Sequence, residues 1–191
     1  MRVFIAALVL IISLQSWTKA DDISDFEIEG MSIGDSLLEY YSVDEINKNI
    51  DLNVYKHTDG KFKLFALYGK FGEFEGMQFA FKADDKKFLI YGINGGIFYS
   101  NIDDCKKKLK SISREISYLF KDAKTNFDIK QIHPGDKTKK SYAIADVFFL
   151  DTGSVSVRCT DWSDEITKNF GWNDNLRIGV RSKEYNDWIP K

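Results

Sequence analysis

The feature that most restricts the fold of this chain is a long amphipathic segment at residues 101–121. Its apolar residues recur three and four positions apart, which places them on one face of an α-helix. They are Ile102, Cys105, Leu109, Ile112, Ile116 and Leu119. Lysines fill the other faces, and Asp103 and Asp104 lie in the first turn, where the helix dipole favours acidic side chains. We therefore predict one long helix whose apolar stripe packs on the rest of the protein.

Alternating apolar and polar residues on both sides of this segment predict half-buried β-strands. The runs are 52–57, 61–68, 77–82, 87–93, 142–150, 155–159 and 176–181. Ser32 and Ser42, each followed three residues later by an acidic residue, predict two short N-terminal helices at about 33–41 and 43–49. Antiparallel strands segregated from helices indicate an α+β fold, with β meanders packed on the long helix.

Three stretches are interpreted as connections between these elements. Residues 121–141 are polar and lysine-rich and predict the longest loop. Residues 92–96 predict a tight glycine turn, and residues 69–76 predict a glycine-spaced loop that carries Phe71 and Phe74.

The chain beyond residue 20 has the length of one α+β domain, residues 21–191. It also divides into two halves with a similar order of helices and strands, 21–100 and 101–191. Both organisations remain open at this point.

The first twenty residues have the pattern of a secretory signal peptide. Arg2 supplies a positive charge, residues 3–12 an apolar run, and Thr18 and Ala20 the small residues before a cleavage site. No later run reaches the roughly 18 apolar residues of a membrane-spanning helix. We therefore expect a soluble protein that is periplasmic or secreted, with no transmembrane anchor after cleavage.

The two cysteines are placed where they can meet. Cys105 lies on the apolar stripe of the predicted helix, and Cys159 shares the apolar face of a predicted strand with Val155 and Val157. These surfaces are expected to pack together, and an even cysteine count in an exported chain favours a disulfide. Two free buried thiols are the alternative.

The charge balance and the two histidines exclude several function classes. The chain has 27 basic and 29 acidic residues and no basic stripe, so we expect no nucleic-acid partner. His57 and His133 have no cysteine or histidine at ligand spacing. We therefore predict no metal site and no cofactor.

Residues 34–37 read GDSL and residues 171–174 read GWND. They resemble the GDSL and GxND blocks of the SGNH/GDSL-type hydrolases. The resemblance implies that Ser36 is a nucleophile and that Asn173 donates to an oxyanion. A serine nucleophile needs a base, and the family's histidine follows the second block, whereas both histidines here precede it. We therefore favour structural roles for both blocks and keep a GDSL-type serine hydrolase using Ser36 as the alternative.

Residues 151–154, DTGS, follow an apolar run and resemble the active-site triplet of retropepsin-type aspartic proteases. In that family two such aspartates share a proton. The chain has no second copy of the triplet, so we interpret it as a hairpin turn, where Asp and Gly suit the backbone. Without a complete catalytic set, the sequence favours a function that is not enzymatic.

Aromatic residues are the candidates for binding. Trp162, Trp172 and Trp188 lie near amide and carboxylate residues at the C-terminal end, and Phe71 and Phe74 form a second group. Exposed aromatic side chains of this kind bind peptides or sugars, and core packing is the alternative for both groups. We therefore expect a binding or interaction module of the cell envelope, whose partner is an envelope protein, a peptide or a glycan.

Overall fold

A computed structural model describes residues 22–51 and 59–189 of the chain. The predicted signal peptide, the predicted strand at 52–57 and His57 lie outside the described residues.

The described residues form seven strands and four α-helices. The strands are β1 (Phe62–Phe71), β2 (Phe74–Lys82), β3 (Gly92–Tyr99), β4 (Lys124–Ile132), β5 (Tyr142–Leu150), β6 (Gly153–Asp161) and β7 (Asp174–Ser182). The helices are α1 (Val43–Lys48), α2 (Ile102–Leu119), α3 (Asp164–Phe170) and α4 (Lys183–Trp188). Two short 3₁₀ turns, Ile23–Asp25 and Leu37–Glu39, precede α1.

All seven strands belong to one continuous sheet in the order β1-β2-β3-β7-β6-β5-β4. Every neighbouring pair is antiparallel. Two three-stranded meanders, β1-β2-β3 and β4-β5-β6, therefore flank the last strand, β7. The predicted α+β class, with antiparallel meanders on one long helix, is confirmed.

One face of the sheet carries the main core. Helix α2 packs on β6 and β7 through the predicted apolar stripe. Leu109 and Ile116 on the helix, and Val157 and Leu176 on the sheet, are almost completely buried. Cys105 of α2 and Cys159 of β6 form a disulfide, with their Cα atoms 6.0 Å apart. The periodicity of the two elements thus predicted the cross-link correctly.

The prediction of a loop throughout residues 121–141 is wrong, because β4 occupies its first half. This strand is at the edge of the sheet and most of its side chains are exposed, so it lacks the apolar alternation of a half-buried strand. Its pairing with β5 breaks between Asn126 and Ile129. There Asp128 has a positive φ of 56°, and its backbone N–H donates to Asp146 at 2.8 Å.

The glycine-rich residues 92–96 form most of β3 and not the predicted turn. Two of the glycines make room for aromatic rings on opposite faces. A Cβ atom on Gly92 would lie 2.6 Å from the ring of Tyr185, and one on Gly95 would lie 2.5 Å from that of Phe74. The run is therefore glycine-rich because rings pack directly on the strand backbone.

The predicted loop at 69–76 is mostly strand, because β1 continues to Phe71 and β2 begins at Phe74. The turn between them contains Gly72, whose φ is 56°. Phe74 is buried in the main core, and Phe71 packs against that core.

The first predicted N-terminal helix, 33–41, is reduced to the 3₁₀ turn at Leu37–Glu39. Gly34 has a φ of 97°, which is incompatible with a helix starting at 33. The second predicted helix is present as α1, and Ser42 and Glu45 form its capping box.

On the opposite face of the sheet, the helices of the described residues cover one end. There α4 contributes Tyr185 and Trp188 to a small apolar cluster with Phe62 and Leu64 of β1 and Ala80 of β2. The rest of this face borders an open cleft. Within the described residues, no helix is both long and apolar enough to cross a membrane.

Candidate ligand-binding cleft

The cleft on the open sheet face has a volume of about 680 Å³. Its floor is formed by side chains of β2, β3, β7 and β6, all from the face opposite α2. Sheets pleat so that alternate residues share a face, and this alternation selects which residues of each strand line the cleft.

One row of cross-strand neighbours lies beside this floor. It runs from Tyr68 on β1 through Gly76 and Gly96 to Arg177 on β7 and Arg158 on β6. The ring of Tyr68 lies over Gly76, 3.5 Å from the position of a Cβ atom there. The bare backbone at Gly96 therefore forms a shallow depression of about 30 Å³ next to the cleft, which we name the glycine trough. A Cβ atom on Gly96 would meet no heavy atom closer than 3.9 Å, so the space above it is open.

Three arginines share this face of the sheet. Arg177 and Arg181 lie four residues apart on β7 and therefore on the same face. Arg158 on β6 pairs directly with Arg177. Among the described residues, no carboxylate forms an ion pair with any of the three. Of the described residues that line the cleft, Asp51 is the single acidic one. The cleft therefore has a net positive charge.

The pKa values of Arg158 and Arg177 are lowered, chiefly by desolvation. Burial, followed by repulsion from Arg181 and Arg177, lowers the pKa of Arg158. Desolvation also lowers the pKa of Arg177, although part of its side chain contacts solvent. Arginine stays protonated despite such shifts. The smaller contribution, repulsion between the arginines, would be reduced by a negative charge in the cleft.

Two buried polar atoms at the cleft, Oδ1 of Asn175 and Nε of Arg181, have no hydrogen-bond partner among the described residues. Asn175 is only 6% exposed, and its Nδ2 donates to the carbonyl of Asn173 at 3.0 Å. An unsatisfied buried polar group costs roughly 1–3 kcal/mol. A ligand that donated to Asn175 and accepted from Arg181 would recover part of that cost.

Aromatic rings line one edge of the cleft. Trp162 and Trp172 are in contact edge to face, with ring centroids 4.7 Å apart, and the His133 ring lies 4.3 Å from Trp162. Helix α3 sets their positions, since it ends at Gly171 with a φ of 70° and Thr167 donates to the carbonyl of Trp172 at 2.7 Å. The sequence-predicted pair Trp162 and Trp172 is thus brought together.

The opposite edge carries two further rings. Tyr68 is 76% exposed and Phe98 is 46% exposed, although both are large apolar side chains. They border the glycine trough on the β1 and β3 sides. Aromatic rings left in solvent beside a cavity are typical of a binding surface.

A buried carboxylate fixes the loop that carries His133. Asp136 is 2% exposed and accepts hydrogen bonds from the backbone and hydroxyl groups of Thr138 and Ser141, at 2.7–2.8 Å, and from the hydroxyl of Ser163 at 3.1 Å. These hydrogen bonds, chiefly those from the hydroxyl groups, hold the pKa of Asp136 well below its usual range. The loop between β4 and β5 is therefore tied to the start of α3.

The other predicted binding residues lie elsewhere. Trp188 is half-buried in the cluster under α4, 5.0 Å from the ring of Phe62, and its Nε1 donates to Asp59 at 2.6 Å. Phe71 and Phe74 belong to or pack against the main core on the far side of the sheet. For these three residues the geometry fits structural packing.

Ser36, the nucleophile implied by the GDSL resemblance, caps a 3₁₀ turn. Its hydroxyl donates to the carbonyl of Lys87 at 2.6 Å and accepts from the backbone N–H of Leu38 at 3.2 Å. Among the described residues no histidine contacts it, and the described histidine, His133, packs on Trp162. Asn173 lines the cleft.

The DTGS segment forms the turn between β5 and β6, as expected for a hairpin. Its Thr152 hydroxyl accepts from the backbone N–H of Ile23 at 3.0 Å. Gly153 packs so closely on the backbone of Arg181 that a Cβ atom would clash with the carbonyl. Within the described residues, no group of three or more His, Cys, Asp or Glu side chains is arranged to hold a metal ion.

Sequence reasoning did not select the arginines as a site. The signal was present, because the alternation in residues 155–159 and 176–181 places Arg158, Arg177 and Arg181 opposite the apolar face. Their convergence depends on the β6–β7 pairing, and the trough depends on the β3–β7 pairing. The local sequence pattern predicts neither of these strand pairings.

Comparison of the chain with models of known protein families, with curated proteins and with solved structures finds no match in any of the three.

Proposed function

We propose that this protein is an exported, non-enzymatic binding module and that its ligand site is the cleft on the open sheet face. The observation that carries the proposal is the set of unsatisfied polar groups on the cleft floor. Asn175 and Arg181 keep buried atoms without partners there. Such groups lower the stability of a free protein, and their retention is explained if a ligand completes them.

The size of the cleft favours a compact ligand. Pockets for small molecules usually measure about 300–1,000 Å³, and this cleft, at about 680 Å³, falls in that range. The aromatic edge formed by Trp162 and Trp172 supplies apolar contact area, and the strand side chains supply polar contacts. A ligand of one or two rings, free or at the end of a longer chain, fits this combination.

Export of the protein rests on two further observations. The first twenty residues have the charge, apolar run and small residues of a signal peptide. The Cys105–Cys159 disulfide is compatible with an oxidising compartment outside the cytoplasm. We therefore propose that the module acts in the periplasm or outside the cell.

A thermal-shift screen of the purified mature chain against neutral and charged small molecules tests the binding function. Gly96→Val fills the trough with a side chain that the open space above Gly96 accepts, while Gly96→Ala is the smaller matched control. We expect compounds that raise the melting temperature of the wild type and of Gly96→Ala, but not that of Gly96→Val. A screen without any such compound, or one in which Gly96→Val responds like the wild type, would contradict the proposal.

A further inference from the structure

The charge of the cleft limits the chemistry of its ligand. A guanidinium group offers five N–H donors in a planar arrangement that matches carboxylate and phosphate oxygens. Arg158 and Arg177 are neighbours on adjacent strands, which are about 4.8 Å apart. No carboxylate pairs with either arginine among the described residues, so their guanidinium groups are free to bind one oxyanion together. A cationic ligand is disfavoured, because the described residues that line the cleft include three arginines and one acidic residue, Asp51.

The shape of the cleft limits the rest of the ligand. Three strand spacings, about 14 Å, separate the backbone of Tyr68 from that of Arg177 along the row, but the ring of Tyr68 lies over Gly76 and leaves the backbone bare at Gly96. A flat group in the cleft can therefore contact the backbone of Gly96 and the exposed rings of Tyr68 and Phe98. Aromatic side chains prefer offset or edge contacts with another ring.

The polar groups beside the trough agree with this placement. Asn175 lies on the same strand face as Arg177, is almost fully buried, and has its Oδ1 unpaired. It lines both the trough and the larger cleft, so a ligand that displaces the side chains covering its Oδ1 can donate to this acceptor. The arginines and this amide come from one strand, β7, and their relative positions are therefore set by the sheet.

We infer that the ligand is a compact organic anion, in which an oxyanion group bound by Arg158 and Arg177 is joined to a flat ring that lies in the cleft against the glycine trough. This inference rests on the proposed binding function. The shared chemistry is the oxyanion, and its source is either a carboxylate or a phosphate.

Isothermal titration of the full mature chain tests the charge and the ring separately. The anionic probes are phenyl phosphate and phenylacetate, phenylacetamide is the neutral counterpart, and methyl phosphate is the anion without a ring. We expect the two ring anions to bind at least about tenfold more tightly than phenylacetamide, since hydrogen bonds to charged groups are the stronger ones. Methyl phosphate should bind more weakly than phenyl phosphate. The tighter of the two ring anions identifies the oxyanion.

Arg158→Gln and Arg177→Gln should each weaken the binding of the ring anions about tenfold or more. Arg114→Gln, which changes an exposed arginine on the opposite side of the sheet, is the matched control and should leave binding unchanged. The melting temperature of both cleft variants is measured as well, and a value close to that of the wild type excludes misfolding as the cause of lost binding.

The outcomes separate this inference from the proposed function. If phenylacetamide binds as tightly as phenylacetate and Gly96→Val abolishes both, the cleft is a binding site but the anion inference is wrong. Equal affinities for methyl phosphate and phenyl phosphate would show that a ring on the ligand contributes nothing to binding. Arginine variants that bind the ring anions like the wild type would overturn the inference as a whole. If, in addition, no compound in the thermal-shift screen raises the melting temperature, the proposed binding function is wrong as well.

Discussion

His133 connects the charge of the cleft to pH. Its ring lies against Trp162 at the edge of the cleft. Burial, followed by the positive charges of Arg158 and Arg177, lowers the pKa of His133, and the carboxylate of Asp136 opposes this only in part. The imidazole is therefore neutral at pH 7, and an anion bound beside the arginines would favour its protonation.

We predict that the affinity for an anionic ligand rises as the pH falls. If the bound anion raises the pKa of His133, binding takes up a proton and the dissociation constant should fall several-fold between about pH 7.5 and pH 5.5. Benzenesulfonate is a suitable probe, because its own charge is constant over this range. Titrations at several pH values on the wild type and on His133→Gln measure the effect. If the dissociation constant of the His133→Gln variant depends on pH as strongly as that of the wild type, a group other than His133 takes up the proton.

Asp136 is the residue on which the loop between β4 and β5 depends. Its carboxylate accepts hydrogen bonds from Thr138, Ser141 and Ser163, which belong to that loop and to the cap of α3. Because these bonds hold the pKa of Asp136 in the folded state below that of the unfolded chain, about 3.9, they stabilise the fold above that pH. The contribution is lost as the pH falls toward the folded-state pKa.

Asp136→Ala should therefore destabilise the protein at pH 7, and the difference from the wild type should shrink as the pH falls from about 4 to 2. Urea unfolding at a series of pH values measures both effects. Asp84→Ala, at an exposed turn position, is the control and should change stability little at any pH. A difference between Asp136→Ala and the wild type that stays constant down to pH 2 would contradict the role of the ionised carboxylate.

At the scale of elements, the disulfide joins the long helix α2 to the central part of the sheet. Cys105 is in the first half of α2 and Cys159 is near the end of β6, and both are almost completely buried. The bond closes a loop with a sequence separation of 54 residues, which contains β4 and β5. Cross-linking a loop of this length stabilises a fold by about 4 kcal/mol in the chain-entropy model.

We predict that reduction lowers the free energy of unfolding of the wild type by about 4 kcal/mol. The double variant Cys105→Ala/Cys159→Ala should start at a similarly low stability and should not respond to reductant. Urea unfolding with and without dithiothreitol gives both values. A wild type that is equally stable with and without reductant would contradict the stabilising role of the cross-link.

An element could be predicted from the sequence when one of its faces is buried in the core and the other is exposed to solvent. Helix α2, β6 and β7 have one buried and one open face, so their periodicity was visible in the sequence. Strand β4 is an exposed edge and has no such periodicity. In β3, glycines replace the side chains that would have revealed a strand, because the rings of Phe74 and Tyr185 fill their places.

At the scale of the whole molecule, the two faces of the sheet have different roles. One face is closed by α2 and the N-terminal segment around an apolar core. The other is closed by α4 at one end and is otherwise lined by arginines, amides and exposed rings. A single sheet therefore supplies both the stability of the protein and its proposed binding surface.

The candidate site was predictable only in part for the same reason. Trp162 and Trp172 are close in sequence, and their contact could be anticipated from the short helix between them. Gly96 and Arg177 are far apart in sequence and meet only because β7, the last strand, inserts beside β3. The trough and the arginine pair are thus products of strand order, which local patterns do not determine.

An NMR titration of the ¹⁵N-labelled chain, residues 21–191, with phenyl phosphate locates the ligand residue by residue. We predict saturable shift changes that are largest at the amides of Gly76, Gly96 and Arg177 and at the side-chain amide of Asn175. Residues of α2 such as Ser113, on the other side of the sheet, should change little. Changes centred on α2, or the absence of saturable changes on the cleft floor, would contradict the account.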